Sequence, residues 1–164
     1  MWPLIIKITH IIGTVLGVGG STLAEVFLLQ SARAGKLNEQ AMGLVRGTYQ
    51  VIRVGTILLV LSGFGYFLLY RLEGDTDRLY SERFWLKMVL VVVIALNSLL
   101  FQQHKISTLW GSAIFFTSWY AALILGAWRG LDAAWWVLVL SYLVGLLVVA
   151  GIFTILRKRY HAPL

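Results

Sequence analysis

The chain contains no cysteine, only two prolines, and only seven acidic residues among 164. Without cysteine there is no disulfide, no thiolate metal site and no cysteine nucleophile. No proline lies inside any of the long apolar stretches, so proline kinks are not expected there. Charged residues make up 13%, about half the roughly 25% typical of soluble domains. Three methionines without a Met cluster leave few soft ligands for Cu(I), which disfavours copper import. Neither an internal repeat nor a low-complexity linker is evident. No basic stripe with interleaved aromatics appears, so nucleic acid is not an expected partner.

What the chain has is apolar length. It is 59% hydrophobic, with a mean hydropathy of +0.82. A water-soluble chain of this size could not hide that much apolar surface. A spanning helix needs about 20 apolar residues. Five stretches qualify, at about 3–30, 48–72, 84–103, 108–128 and 133–156. The expected fold is all-α, a single integral membrane domain built as an antiparallel bundle of about five helices. The first stretch reads as a retained helix rather than a cleaved signal. Lys7 lies inside its apolar run, and Glu25 and Arg33 follow where a cleavage site would stand.

Net charge is +7, and its distribution speaks to orientation. Arg33, Lys36, Arg46, Lys105, Arg157, Lys158 and Arg159 fall on one side of a five-span topology. Arg71, Arg78, Arg83 and Arg129 fall on the other. The excess predicts an inner-membrane protein with its N-terminus outside and its C-terminus in the cytoplasm. Trp2, Trp85, Trp128, Trp135 and Trp136 lie near the predicted outer interface, and Trp110 near the inner one. Trp119 alone falls mid-span. The Arg157–Arg159 run reads as an anchor at the cytoplasmic surface.

Polar residues inside the spans are the functional lead, because an ionisable group in a bilayer is expensive and needs a partner. His10, Thr14, Gly17, Ser21 and Glu25 recur at steps of three or four. At ~100° per residue they share one stripe of the first helix. Glu25 and Arg53 lie at similar distances from the ends of adjacent antiparallel helices, so they are expected to pair. That pair is a structural lock or a gate on a polar path with Asn97, unless both side chains snorkel to water. Tyr49, Arg53, Thr56, Gly63 and Tyr70 form a heptad-spaced face expected to meet the first helix. Asn97 should hydrogen-bond between helices.

His10 has three readings: a packing residue, a haem or metal ligand, or a proton carrier. His104 lies at the other end of the bundle and His161 in the tail, so bis-histidine ligation of one haem is not expected. A haem b would then be held by His10 with Met88, or by His10 alone. Gly13 and Gly17 allow either close helix packing or space for a flat macrocycle.

The run from Lys7 to Ile11 with His10 inside it, then Gly17 to Gly20, resembles the opening of two related membrane families. These are the copper-resistance D domain and the HemJ type of protoporphyrinogen oxidase, and uncharacterised integral membrane proteins share the opening. Arg46 and Tyr49 before the second span, Ser62-Gly63 within it, Phe84-Trp85 through Lys87, and Ala95 to Asn97 are similar too. The likeness covers about Leu4–Lys105. It implies an antiparallel bundle, with His10 as the haem or metal ligand and Arg46 and Lys87 as associated polar residues.

Three functions follow as expectations. One is haem-linked redox or porphyrin handling through His10. The second is a transporter or metal-import component with a polar path through Glu25, Arg53 and Asn97. The third is a structural subunit or assembly factor. Expected partners are membrane lipids and a second copy or another membrane subunit.

Overall fold

The computed structural model describes residues 1–33, 39–103, 105–128 and 133–160. Lys36, His104, Arg129 and His161 lie outside the described residues. Six helices follow one another: α1 (Trp2–Arg33), α2 (Glu39–Glu73), α3 (Thr76–Leu79), α4 (Glu82–Gln102), α5 (Thr108–Ala127) and α6 (Trp135–Tyr160). No strand occurs among the described residues. All helices except the four-residue α3 are long and apolar enough to cross a membrane. The chain is an all-α polytopic membrane protein.

Four spans agree with the hydropathy reading to within a few residues. The second does not, because α2 begins at Glu39 rather than near Thr48. Hydropathy marks where lipid contact ends, and the helix runs on past that point.

Local chemistry sets the turns. Gly74 adopts φ +68° after α2, a conformation that glycine takes without Cβ strain. The Asp75 amide then donates to the Tyr70 carbonyl at 3.0 Å, closing the helix end. The Asp75 side chain caps α3 by accepting from the Arg78 amide at 3.1 Å. Ser81 caps α4 through the Phe84 amide, and Ser107 caps α5 through the Trp110 amide. Each hydroxyl satisfies an amide that the first helical turn would leave unpaired.

α1 and α2 form a close antiparallel pair. Facing residues keep a constant register: His10 with Ser62, Gly13 with Leu59, Gly17 with Gly55, and Gly20 with Ile52. A Cβ on Gly13 would lie 2.8 Å from the Leu59 nitrogen, and one on Gly55 would lie 2.9 Å from the Gly13 oxygen. The backbones meet because neither position carries a side chain. The predicted heptad face of α2 therefore does not meet α1. Tyr49 and Tyr70 turn toward α4 instead, with ring contacts to Phe101 at 5.6 Å and Phe84 at 6.0 Å.

α5 is the central helix and packs against α1, α4 and α6. Ile52, Leu59, Ile94, Phe115 and Trp119 form one core cluster, and Leu90, Leu125 and Leu138 another. The two ring contacts between α2 and α4 bring residues 49–70 level with residues 84–101. That stretch rises ~30 Å, the thickness of a hydrocarbon layer. Large apolar side chains cover the outside, including Ile57, Leu61, Val92 and Leu147. Lipid chains would cover them without cost, whereas water would not.

Candidate functional site

The polar stripe of α1 faces inward. Thr14, Ser21 and Glu25 are buried and His10 is half-buried. The hydroxyls partly satisfy themselves against their own helix. Thr14 donates to the His10 carbonyl at 2.9 Å, and Ser21 donates to the Val18 carbonyl at 2.9 Å. Such back-bonding makes a buried hydroxyl tolerable in an apolar interior. Thr22, one step aside, also meets the Tyr120 hydroxyl at 3.0 Å.

Glu25 closes the stripe, and its partner is Arg157 rather than Arg53. The Arg157 Nε donates to Oε1 at 2.9 Å and a terminal nitrogen donates to Oε2 at 2.6 Å. The side chains are 0% and 7% exposed for Arg157 and Glu25 respectively. This two-pronged geometry matches a planar guanidinium to a carboxylate. Phe153 lies one turn back on α6, its ring centroid 5.7 Å from the guanidinium carbon. The expected pairing with Arg53 fails for two reasons. The α1–α2 register sets Glu25 opposite Gly47 and sets Arg53 opposite Gly19, about two turns deeper. Arg53 also projects from the exposed side of α2.

Beside the pair lies a cavity of about 40 Å³ lined by Glu25, Ser21, Tyr49, Thr108, Ser112 and Phe115, among others. A water needs roughly 10–15 Å³ of such space and two to four polar partners. The cavity has both the room and the hydroxyls. Asn97 stands behind its wall, where Nδ2 donates to the carbonyl of the lining residue Gly111 at 2.9 Å. The interhelical bond expected of Asn97 is present, but its Oδ1 has no partner among the described residues.

His10 marks the other end of the stripe. Its Nδ1 lies 3.0 Å from the Ser62 Oγ. Ser62 also lies 2.6 Å from the Leu58 carbonyl, to which it donates its one proton. The hydroxyl must then accept from Nδ1–H, which leaves Nε2 as the nitrogen with a free lone pair. Tyr66 meets the imidazole edge-on at 5.5 Å, and Tyr70 stacks on Tyr66 at 5.7 Å. Lys87 on α4 lies within electrostatic reach of His10. Met88 is half-buried next to Lys87. Arg46, by contrast, is exposed near the Glu25 end, about 24 Å from His10 along the bundle by the register. The resemblance groups His10, Lys87 and Arg46, and the fold brings only the first two together.

The residues at His10 fit one half of a haem site. An imidazole whose Nδ1–H is fixed by a neighbour is the usual state of a metal-ligating histidine. The glycine face offers no matching room. A Cβ at Gly17 would fall inside the Trp119 indole, and Gly13 is filled by the α2 backbone. Those glycines serve helix packing, not a macrocycle. Among the described residues, no group of three or more His, Asp or Glu could hold a metal ion.

Trp119 thereby becomes a site residue that the polar pattern does not mark. It is fully buried, sits on Gly17, and its Nε1 has no partner among the described residues. It separates the His10 half of the stripe from the Glu25 half. Its mid-span position, away from both tryptophan belts, was the available signal. Arg157 offered a weaker one, since Ala150, Phe153 and Arg157 recur at steps of three and four before the basic tail. Ser62 lay only within the short Ser62-Gly63 likeness. Comparison with protein-family models, curated proteins and solved structures gives no match.

Proposed function

We propose that the protein is a transport component of a cell membrane, in which the buried face of α1 lines a path for protons or a small polar solute. The observation that carries this reading is that Glu25, ion-paired with Arg157, lines a cavity large enough for water. A charge pair sealed in apolar packing would serve structure alone. A charge pair beside hydratable space can exchange a proton with it. Protonating Glu25 removes the negative charge that holds the guanidinium and leaves Arg157 with a neutral acceptor. The link between α1 and α6 loosens at that mouth. Trp119 on Gly17 is the apolar barrier between the two polar halves, and constrictions of this kind gate by excluding water. In this reading the Glu25 mouth opens to the cytoplasmic side of an inner membrane, in keeping with the Lys/Arg bias of the sequence.

The test is proton flux into liposomes that hold the purified protein and a trapped pH-sensitive dye. The wild-type chain should dissipate an imposed pH gradient faster than empty vesicles. Glu25→Gln should alter that rate by about tenfold, the scale of ~1.4 kcal/mol in a barrier. Wild-type vesicles as tight as empty ones, for protons and for small cations, would remove the reading.

A second reading retains His10 as the residue that would hold a haem b, favoured by the free Nε2 that the Ser62 contact leaves. A haem would be held by His10, with Ser62 orienting the imidazole, and would supply the redox chemistry. It predicts a Soret band in detergent-purified protein that shifts on reduction and disappears in His10→Ala. A colourless protein from haem-replete cells excludes it. If flux and colour are both absent, a structural subunit or assembly factor is the remaining assignment.

A further inference from the structure

α2 carries a polar strip on the side turned away from α1. Arg46, Gln50 and Arg53 are all exposed and fall within about 60° of one another around the helix. Gly43 and Gly47 adjoin them, and a Cβ at either would meet nothing within 4 Å. Neither guanidinium has a hydrogen bond or ion pair among the described residues. Further along the same helix the exposed side is wholly apolar, through Ile57, Leu61, Phe64 and Leu68.

The depth of this strip is informative. Tyr49 is level with Phe101, where the apolar span of α4 ends. Gln50 therefore lies at the edge of the hydrocarbon layer. Arg46 lies about 4–5 Å outside that edge and Arg53 about 6 Å inside it, at 1.5 Å per residue. An arginine side chain can reach back that distance to the polar level. Both guanidiniums then converge on the plane of the lipid phosphates. Gly43 and Gly47 keep the helix surface low beside them, so a headgroup can approach the backbone.

The occupant must supply negative charge at this level. Among the described residues, a second copy of the chain has no free carboxylate to offer there. Glu25 is enclosed and held by Arg157. Glu73, Asp75, Asp77 and Glu82 are at the opposite end of the spans, and Glu39 lies about 10 Å further out than Arg46. A lipid of the surrounding leaflet needs no such match. We infer that Arg46, Gln50 and Arg53 form a binding site for the phosphate headgroup of an anionic phospholipid, with its acyl chains lying along the apolar outer face of α2. The site is on the opposite side of α2 from the α1 stripe and does not depend on the transport reading.

The experiment is native mass spectrometry of the full chain released from mixed phosphatidylglycerol and phosphatidylcholine bilayers. The variants are Arg46→Gln with Arg53→Gln, and, as a control for general surface charge, Lys158→Gln with Arg159→Gln. The wild-type chain should retain phosphatidylglycerol over phosphatidylcholine by on the order of tenfold, since each arginine near an anionic surface contributes about a fivefold preference. The α2 double variant should fall to near parity while the tail variant keeps the preference. Inorganic phosphate at millimolar concentration should not displace the lipid. The inference is overturned if the α2 double variant keeps the preference, if the tail variant abolishes it, or if inorganic phosphate competes. It is equally overturned if the α2 double variant turns a dimer into a monomer with lipid retention unchanged, because a second copy would then be the occupant.

Discussion

Glu25 and Arg157 are 132 residues apart in sequence and share two hydrogen bonds while almost fully buried. Removing one member takes from the other, buried charge the partner of its two-pronged contact. Glu25→Ala and Arg157→Ala should each destabilise by about 3–5 kcal/mol. The double variant should cost clearly less than the sum, because no charge is then stranded. Denaturant unfolding in detergent measures both, and strict additivity would argue against the pairing. Arg53→Ala should shift stability in detergent by less than about 0.5 kcal/mol, as exposed positions usually do. The cost of a buried charge is legible at Glu25 from sequence alone. The identity of its partner is not, because that depends on how α6 returns to α1 after four intervening elements. Arg157 also hides in a basic run that reads as a surface anchor.

At the scale of the helix pair, glycine has two different meanings. Gly13 and Gly55 are where α1 and α2 touch backbone to backbone. Gly13→Ala or Gly55→Ala should cost about 1–3 kcal/mol, the usual penalty for overpacking. Gly19 and Gly63 are also helical, but a Cβ there would meet nothing within 4 Å. Alanine at either should be neutral or stabilising by up to about 1 kcal/mol, from helix propensity alone. Thermal unfolding of the four variants separates the two classes. Equal effects at all four would mean that the close approach is not what holds the pair. The small-residue step at Gly13 and Gly17 was visible in the sequence, but its use was not. Whether such a notch receives a cofactor or a neighbour is decided by the side chain that arrives opposite, here Trp119. α2 runs on past its apolar stretch for a related reason. Apolar content reports the lipid boundary, while a helix continues as long as its backbone bonds are satisfied.

At the scale of the molecule, five spans and their approximate limits were readable, because a 30 Å apolar layer leaves a strong length signature. The cysteine-free sequence makes this arrangement easy to test. A single cysteine in place of Tyr80, exposed between α3 and α4, and one in place of Lys105, exposed between α4 and α5, should react with a membrane-impermeant thiol reagent from opposite faces. Labelling of Tyr80→Cys from outside intact cells, and of Lys105→Cys only after lysis, is the expected pattern. Labelling of both from one face would break the antiparallel order of α4.

The spans are unequal. Those of α1 and α2 are 30 and 31 residues long, while those of α4 and α5 are 18 and 20. Helices of such different lengths cannot all match one slab. The ring contacts between α2 and α4 put the excess at the Glu25 end, where roughly two to three turns of the α1–α2 hairpin rise clear of the hydrocarbon. The short helices then act as a gauge. An 18-residue helix rises about 27 Å, close to the thinner biological bilayers and short of sterol-rich ones. In a thick membrane α4 and α5 would drag their polar ends into oil, while the long hairpin would barely notice. The chain thus carries a thickness preference of its own, set by its two shortest spans.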